Sequence, residues 1–393
     1  MSKLNELIEK LCPDGVKYKK FNDVATYLRG VSYSKTKEVN DGRNGYKLLR
    51  ANNITLSSNV LNFNEIKVID FSVNVKENQM LMKNDILICA GSGSKEHIGK
   101  VAFISENIDY TFGGFMGVIR CKSNIIHPRY MFHIMTSQIF KNHLHKVSNS
   151  STINNINNDT WKDFNLPVPP MEVQCEIVRI LDKLTRLETE LETELEAELE
   201  ARKKQYKFYL HRLLEVKEGV ELTIGEIYDF KYGTGNTIPS EGGKYPVYGS
   251  NGKVGYCKEY NSEDAPVIGH IGAYAGIVNW AEGKHFVTYN GVICKYKNKM
   301  VNKRYAYYLL LTQDFIGEQK GAQPFVSYDA LRKPVVRIPN IEIQKSIVEK
   351  LDKLDKLCND ISECLPAEIE ARQKQYEYYR DKLLTFKELK VNE

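Results

Sequence analysis

The chain contains a long internal repeat, in which a stretch near its middle returns 170 residues later. The segment EARKKQYKFYLHRLL (Glu200 to Leu214) is repeated as EARQKQYEYYRDKLL (Glu370 to Leu384), with nine of fifteen positions identical. The same offset, without a gap, aligns Pro170 to Leu184 with Asn340 to Leu354. An ungapped repeat of this length indicates that the chain folds as two related halves.

Both copies of the repeat are predicted to be long helices. In the first copy the tetrads LETE, LETE, LEAE and LEAR place a leucine at every fourth position from Leu187 to Leu199, with no Gly or Pro between them. A four-residue repeat turns about 400° on a helix, so the leucine stripe winds slowly around it and needs a partner, which the second copy can provide. Pro170 and Pro339 mark the helix starts. Pro366, inside the second copy, predicts a kink or a break.

A globular half precedes each helix, and the two halves share anchor segments but not loops. Asp14 to Gly30 resembles Glu218 to Gly233, and Pro128 to Phe140 parallels Lys303 to Phe315. Between these anchors the loops agree in neither length nor sequence. One scaffold that carries two different surfaces is typical of a protein that recognises two different things.

The repeat also predicts the domain organisation. Residues 1–165 and 219–336 are expected to form two globular domains, and residues 166–218 and 337–393 the central and C-terminal helical spacers. The predicted fold class is α+β, with two α/β domains joined by two long antiparallel helices that form a coiled coil. Because domains and helices repeat at one offset, we expect an approximate two-fold axis and a cyclic organisation, with residues 1–15 packing near the C-terminal helix.

The charge distribution favours a polyanionic partner. The first predicted domain carries 22 Lys and Arg against 15 Asp and Glu, the second carries 13 against 11, and both helical spacers are net acidic. Positive domains on negative spacers suit a polyanion held at two places, because phosphate neutralisation supplies the sequence-independent part of nucleic-acid affinity. No stretch approaches the about 18 uninterrupted apolar residues of a membrane span, and the N-terminus lacks a secretory apolar region, so a cytoplasmic location is expected.

The sequence offers no motif for catalysis or for metal or cofactor binding. The eight cysteines include no CxxC pair, and His143 and His145 have no Cys or carboxylate nearby in sequence. GSGSKEHIGKV fails as a phosphate loop because Ser94 stands where Gly is required and Val101 where Ser or Thr is required. Amino-methyl transfer and methyl-donor motifs are also missing, and Glu65-Ile66-Lys67 lacks the preceding Asp of a nuclease. We therefore expect no catalytic site, no cofactor and no metal.

Loops in both halves carry side chains that can contact nucleic acid. Arg and Lys can chelate guanine, Asn and Gln can chelate adenine, and Gly allows the backbone to approach a partner closely. The candidate DNA-contacting residues are Arg50, Asn52, Ser92, Lys95 and His97 in the first domain and Tyr248, Ser250, Asn251, Lys253, His270 and Tyr274 in the second.

Together these features resemble the specificity (S) subunit of type I restriction-modification systems. Each divergent domain is followed by a helix of the pattern IPxxxxQxxIVxxLDKL that ends in EARxKQYxxYRxxLL, and LCPDGVKYKKFNDV and YPVYGSNGKVGY are similar to that family's domain starts. The resemblance implies a non-catalytic subunit that reads a bipartite, asymmetric DNA sequence, with one half-site for each target-recognition domain. It also implies three kinds of partner, namely double-stranded DNA, two DNA adenine methyltransferase (M) subunits and restriction/translocase (R) subunits.

Two other classes of function are compatible with parts of the sequence. A coiled-coil adaptor that binds two protein ligands would explain the repeat but not the basic loops rich in Gly and Asn. A self-contained modification enzyme would need catalytic motifs that the sequence lacks. A neighbouring reading frame that encodes a methyltransferase with an NPPF-type tetrad would distinguish the specificity subunit from both.

Overall fold

The computed structural model describes residues 3–39, 44–55, 58–150, 155–235, 242–316 and 323–389. The chain divides into two compact units, unit 1 (Met1–Thr193 and Glu368–Glu393) and unit 2 (Glu194–Ala367). Each unit thus contains one globular domain and parts of both long helices. Over the described ranges no helix is long and apolar enough to cross a membrane.

Unit 1 combines two small sheets, a two-stranded ribbon and several helices. Its helices are α1 (Lys3–Leu11), α2 (Phe21–Val24), α3 (Pro128–Thr136), α4 (Gln138–Ser150) and the first part of α5 (Met171–Leu214). Its strands are β1 (Lys17–Lys20), β2 (Ala25–Arg29), β3 (Glu38–Val39), β4 (Tyr46–Leu49), β5 (Lys67–Ile69), β6 (Ile86–Cys89), β7 (Val101–Phe103), β8 (Thr111–Phe112), β9 (Met116–Cys121) and β10 (Asn165–Val168). The sheets have the orders β2-β9-β6-β7 and β3-β5-β4-β8, and β1 pairs with β10.

Unit 2 has one larger sheet and a matching ribbon. Its helices are the remainder of α5, α6 (Ile224–Ile227), α7 (Lys303–Leu311), α8 (Tyr328–Arg332) and the first part of α9 (Ile341–Leu384). Its strands are β11 (Val220–Thr223), β12 (Tyr228–Tyr232), β13 (Tyr245–Gly249), β14 (Gly252–Cys257), β15 (Ser262–Gly269), β16 (Val278–Val287), β17 (Gly291–Tyr296) and β18 (Val335–Ile338). The six-stranded sheet has the order β12-β17-β15-β16-β13-β14, and β11 pairs with β18.

The two units share one strand topology. The antiparallel run β2-β9-β6 in unit 1 corresponds to β12-β17-β15 in unit 2. The parallel pair β4 and β8, with Leu48 opposite Thr111, corresponds to the parallel pair β13 and β16, with Val247 opposite Phe286. The long strand β16 occupies the places of both β7 and β8. The repeat in the sequence is therefore a repeat of structure, and the α+β class predicted from it is confirmed.

A buried glutamine fixes the start of α5 to the globular part of unit 1. The side-chain oxygen of Gln174 accepts a hydrogen bond from the His127 N–H at 2.8 Å. Its amide nitrogen donates to the carbonyls of Ile125 at 3.2 Å and Pro169 at 2.8 Å. Because Gln174 is fully buried, these bonds satisfy groups that water cannot reach.

The matching glutamine in unit 2 makes the same three contacts. Gln344 accepts from the Asn302 N–H at 2.6 Å and donates to the carbonyls of Met300 at 3.3 Å and Pro339 at 2.8 Å. The anchor segments repeat in the sequence because both copies of this glutamine fasten a long helix to the loop before a short one.

A repeated carboxylate in the LDKL segment makes a second attachment. In unit 1, Asp182 accepts from the guanidinium of Arg129 and contacts the ring of His133, both at 2.9 Å. Burial lowers the pKa of His133, and the bond to Asp182 opposes that shift. At the equivalent place in unit 2, Asp352 accepts from Arg304 at 2.8 Å and from the hydroxyl of Tyr308. A tyrosine thus replaces the histidine without loss of the bond.

Within each unit the two helix segments run in opposite directions, as predicted. In unit 2, Arg202 and Tyr206 of α5 lie beside Cys358 and Asp355 of α9, respectively. In unit 1 the Thr185 hydroxyl donates to the Tyr376 hydroxyl at 3.2 Å. Of the kink or break predicted at Pro366, the break is wrong, because α9 (Ile341–Leu384) continues through this residue.

The segment after α1 meets the segment after α9 in unit 1. The Val16 N–H donates to the carbonyl of Lys387 at 2.9 Å, and the Leu389 N–H donates back to the carbonyl of Val16 at 2.9 Å. Gly15 has a φ of +120°, and a Cβ at this position would lie 2.5 Å from the Lys387 oxygen. The close approach therefore requires glycine. The prediction that the N-terminal segment packs near the C-terminal helix is confirmed.

Candidate nucleic-acid interface

Four loops of unit 1 converge at one end of its strands. The Gly113 N–H donates to the Leu49 carbonyl at 3.0 Å, and the Gly91 N–H donates to the Phe115 carbonyl at 2.9 Å. These bonds join the loops that follow β4 and β6 to the turn between β8 and β9. The Arg29 guanidinium, at the end of β2, donates to the carbonyl of Gly114 at 3.0 Å. The unit 1 loop cluster consists of residues 29–35, 50–54, 90–99 and 113–116.

Arg50 and Asn52 lie together in this cluster. The guanidinium of Arg50 donates one bond to the Glu65 carbonyl at 3.1 Å, while its Nε is buried and has no hydrogen-bond partner in the described part of the chain. The side chain of Asn52 is exposed, and its backbone carbonyl accepts from the Asn62 amide at 3.0 Å. Asn52 is thus available to an external ligand, whereas the unpaired Nε of Arg50 lies below the surface.

Ser92, Lys95 and His97 lie in the next loop of the cluster. Ser92 is half-buried and its hydroxyl accepts from the Ser94 N–H at 3.2 Å. Lys95 and His97 begin and end one turn of 3-10 helix, and among the described residues the buried Nδ1 of His97 has no hydrogen-bond partner.

A buried lysine connects the two loops that carry these candidates. The Lys100 ammonium donates to the carbonyl of Ile54 at 2.7 Å. Burial lowers the pKa of Lys100. Lys100 therefore serves the fold, and by tying its loop to the segment that contains Arg50 and Asn52 it keeps the unit 1 candidates close together.

Unit 2 builds an equivalent cluster from the equivalent loops. The Ser250 hydroxyl lies between the carbonyls of Ile271 at 3.0 Å and Asn290 at 2.9 Å, and its single proton is donated to one of them or shared by both. The Thr288 N–H donates to the Tyr248 carbonyl at 3.0 Å. The unit 2 loop cluster consists of residues 232–235, 248–253, 269–276 and 288–290.

Three of the unit 2 candidates present exposed side chains. Asn251 is exposed at the turn between β13 and β14. Lys253 is also exposed, and its ammonium donates to the Tyr256 hydroxyl at 3.0 Å, which raises the pKa of the lysine. Tyr274 is exposed in the loop after β15. These three side chains can reach a ligand without any change of the backbone.

The other three unit 2 candidates support the loops that carry the exposed ones. The Ser250 hydroxyl already donates to backbone carbonyls, and the Tyr248 side chain is half-buried. His270 is only 6% exposed and its ring stacks on that of Tyr232, with 4.2 Å between centroids. His270 thus occupies the place of a supporting residue rather than that of a direct contact.

The sequence analysis missed one turn in each unit. Phe115 lies in the turn between β8 and β9, and Tyr289 in the turn between β16 and β17. The available signal was the repeated Gly-Val-Ile after each turn, in FMGVI and YNGVI. Within the described ranges no group of three His, Cys, Asp or Glu side chains could hold a metal ion.

One scaffold occurs twice, and each copy presents a cluster of loops whose polar side chains differ from those of the other. The fold and the site thus define a bipartite recognition protein. The family model described as "Type I restriction modification DNA specificity domain" matches twice, over residues 13–201 and 217–371. The chain belongs to this family.

Individual relatives agree with the family match. The chain is 30% identical over 384 residues to the type I restriction enzyme EcoprrI specificity subunit of Escherichia coli, covering 92% of this chain and 93% of that protein. The fold is also that of the HsdS subunit from Thermoanaerobacter tengcongensis, with a TM-score of 0.56 at 15% identity, covering 96% of this chain and 99% of that one. A chain from a structural study of type I R-M complex assembly gives a TM-score of 0.65 at 16% identity, covering 95% and 98%.

Proposed function

We propose that the chain is the non-catalytic specificity subunit of a type I restriction-modification complex. It reads a bipartite, asymmetric target in double-stranded DNA and positions M and R subunits on it in the cytoplasm. Residues 1–165 and 219–336 act as the two target-recognition domains. The observation that carries this proposal is the pair of topologically equivalent loop clusters with different side chains. A protein-binding adaptor is not favoured, because the family match is to a DNA specificity domain.

The proposed DNA contacts are the accessible donors and acceptors of each loop cluster. In unit 1 they include Arg50 and Asn52, which are held beside the loop that contains Ser92. In unit 2 they include Asn251 and Lys253. Amide and cationic side chains of this kind can read base edges in the major groove or bind phosphates.

A repeated aromatic pair on the long helices supports the binding of two M subunits. Phe208 and Tyr209 in unit 2 have ring centroids 5.4 Å apart at 73°, and Tyr378 and Tyr379 in unit 1 have the same separation at 72°. Phe208 is 63% exposed and Tyr378 is 61% exposed. Exposed aromatic rings are enriched in protein interfaces, and two like surfaces suit two like partners.

Co-expression with the M subunit is expected to give a complex with two M chains for each copy of this chain. Light scattering measures the stoichiometry. Replacing Phe208 and Tyr209 together by Ala should leave one M chain bound, whereas replacing the exposed Phe71 by Ala should leave two. A wild-type complex with one M chain would contradict the two-surface proposal.

Replacing both Asn251 and Lys253 by Ala is expected to weaken binding of the complex to duplexes that carry the second half-site by about tenfold, since a good base contact contributes ~1–3 kcal/mol. Both side chains are exposed, so the fold should not change. Fluorescence anisotropy with duplexes in which one half-site is scrambled measures the effect. Replacing the exposed Lys299, outside the cluster, by Ala is the control. Equal affinity of the double variant and the wild type for the intact target would exclude these residues as contacts.

A further inference from the structure

Phe115 is an exposed aromatic ring in the centre of the unit 1 loop cluster. It is 69% exposed, more than any other large hydrophobic side chain in the described part of the chain. The ring lies beside Gly91, where a Cβ would come within 3.3 Å of its Cδ1. Exposure of this much apolar surface does not stabilise the fold, and the ring stands among the candidate DNA-contacting residues of the cluster.

The backbone of the Phe115 turn is held firmly although its side chain is free of the core. The Phe115 carbonyl accepts from the N–H groups of Ala90 and Gly91, both at 2.9 Å. The next carbonyl, that of Met116, accepts from the Gly30 N–H at 3.0 Å. Loops from two other strands thus fix the position of the turn. The backbone that carries the ring is thus pre-organised, so binding a ligand there need not order the turn.

The equivalent turn of unit 2 carries Tyr289. Its N–H donates to the Gly235 carbonyl at 2.9 Å, and its own carbonyl lies 3.2 Å from the Nδ1 of His270. The Tyr289 ring packs against that of His270 at 79° with 5.1 Å between centroids, yet the residue remains 43% exposed. His270 in turn stacks on Tyr232. The Tyr289 ring therefore packs against other aromatic rings, whereas the neighbour of the Phe115 ring is Gly91.

We infer that Phe115 and Tyr289 are specificity-determining residues, one for each half-site, and that each makes an apolar or stacking contact with DNA bases. The inference rests on the proposed function and adds to it two residues at corresponding turns. The loops around them differ between the units, but an exposed aromatic ring is present in both. Aromatic and apolar side chains contact thymine methyl groups or insert between base steps. The thymine methyl group and the easily deformed pyrimidine–purine step both depend on the base sequence, so the rings should affect specific binding and leave the binding to phosphates unchanged.

The test uses the complex of the full chain with its M subunits and a target identified by mapping methylated adenines. Four duplexes are compared. The first carries both half-sites, the second and third each carry one half-site with the other scrambled, and the fourth has both scrambled. Phe115→Ala should weaken binding to the complete target by about tenfold, the effect of losing one base contact of ~1–3 kcal/mol. It should reduce the preference for one half-site by the same factor, and Tyr289→Ala should reduce the preference for the other. Binding to the fully scrambled duplex should not change.

Two further variants make the result decisive. Phe115→Tyr keeps the ring and should bind as the wild type does. Phe71→Ala removes another exposed ring of unit 1, 58% exposed, and should have no effect. Thermal denaturation verifies that each variant is folded. An unchanged affinity of Phe115→Ala for every duplex, an equal loss on all four, or loss of the same half-site by both alanine variants would overturn the inference while leaving the proposed function intact. A folded wild-type complex without half-site preference would overturn both.

Discussion

Deleting Leu191-Glu192-Thr193-Glu194 from α5 is expected to abolish methylation at the natural target and to create it at a new one. The new target should keep both half-sites and have a non-specific gap shorter by one or two base pairs. One tetrad is about 6 Å of helix at about 1.5 Å per residue. DNA rises about 3.4 Å per base pair, and the roughly 40° of helix rotation that is lost is close to the twist of one pair.

The helix should survive this deletion. α5 is continuous over Met171–Leu214, and its passage from unit 1 to unit 2 falls within the tetrads, between Thr193 and Glu194. Removing four residues retains the i+4 leucine pattern, and both loop clusters remain unchanged. The matched control deletes only Leu191 and Glu192, which turns the downstream apolar face away from its partner and should lower stability and activity together.

Genome-wide mapping of methylated adenines in a strain that carries the tetrad deletion gives the new target directly. The expected pattern is a single bipartite motif whose half-sequences match those of the wild type. Full activity with an unchanged gap would show that LETELETELEAELEAR is only a linker. Loss of all methylation from a folded complex would show that the spacing is fixed by a contact other than the helix length.

The sequence predicted the repeat of the fold because its signals are local. The offset of 170 residues can be read directly from the sequence, and it aligns Gln174 with Gln344. The antiparallel direction of the two long helices follows from a scaffold that occurs twice. The break predicted at Pro366 is wrong because a proline removes only one bond of the helix ladder and clashes with one turn, at a cost of about 3 kcal/mol. A helix of 44 residues packed on both sides of that position can absorb this cost.

The sequence predicted the candidate site only in part, because the site is assembled from distant segments. Arg50 and Ser92 lie 42 positions apart in the chain, and the order of the strands decides that their loops meet. No periodicity in the sequence shows that the Ser250 hydroxyl would face two backbone carbonyls or that the His270 ring would be buried beside Tyr289. Residues chosen by their chemistry therefore include both exposed contacts and the groups that hold those contacts in place.

Replacing Gln344 by Leu is expected to destabilise unit 2 by about 3 kcal/mol or more, since each buried polar group left without a partner costs ~1–3 kcal/mol. The substitution leaves the Asn302 N–H and the carbonyls of Met300 and Pro339 unpaired. Gln344 is only 1% exposed and its bond to the Pro339 carbonyl is buried, so water cannot replace that bond. Hydrogen exchange measured segment by segment should show faster opening of α7 and of the first turns of α9.

Two variants distinguish this account from a general intolerance of substitution. Gln375→Leu changes an exposed glutamine of α9 and should cost less than about 0.5 kcal/mol. Gln344→Glu can still accept from the Asn302 N–H but cannot donate to either carbonyl, and it buries a charge, so it should be no more stable than the leucine variant. If Gln344→Leu opened no faster than Gln375→Leu, the three hydrogen bonds would not hold the helix.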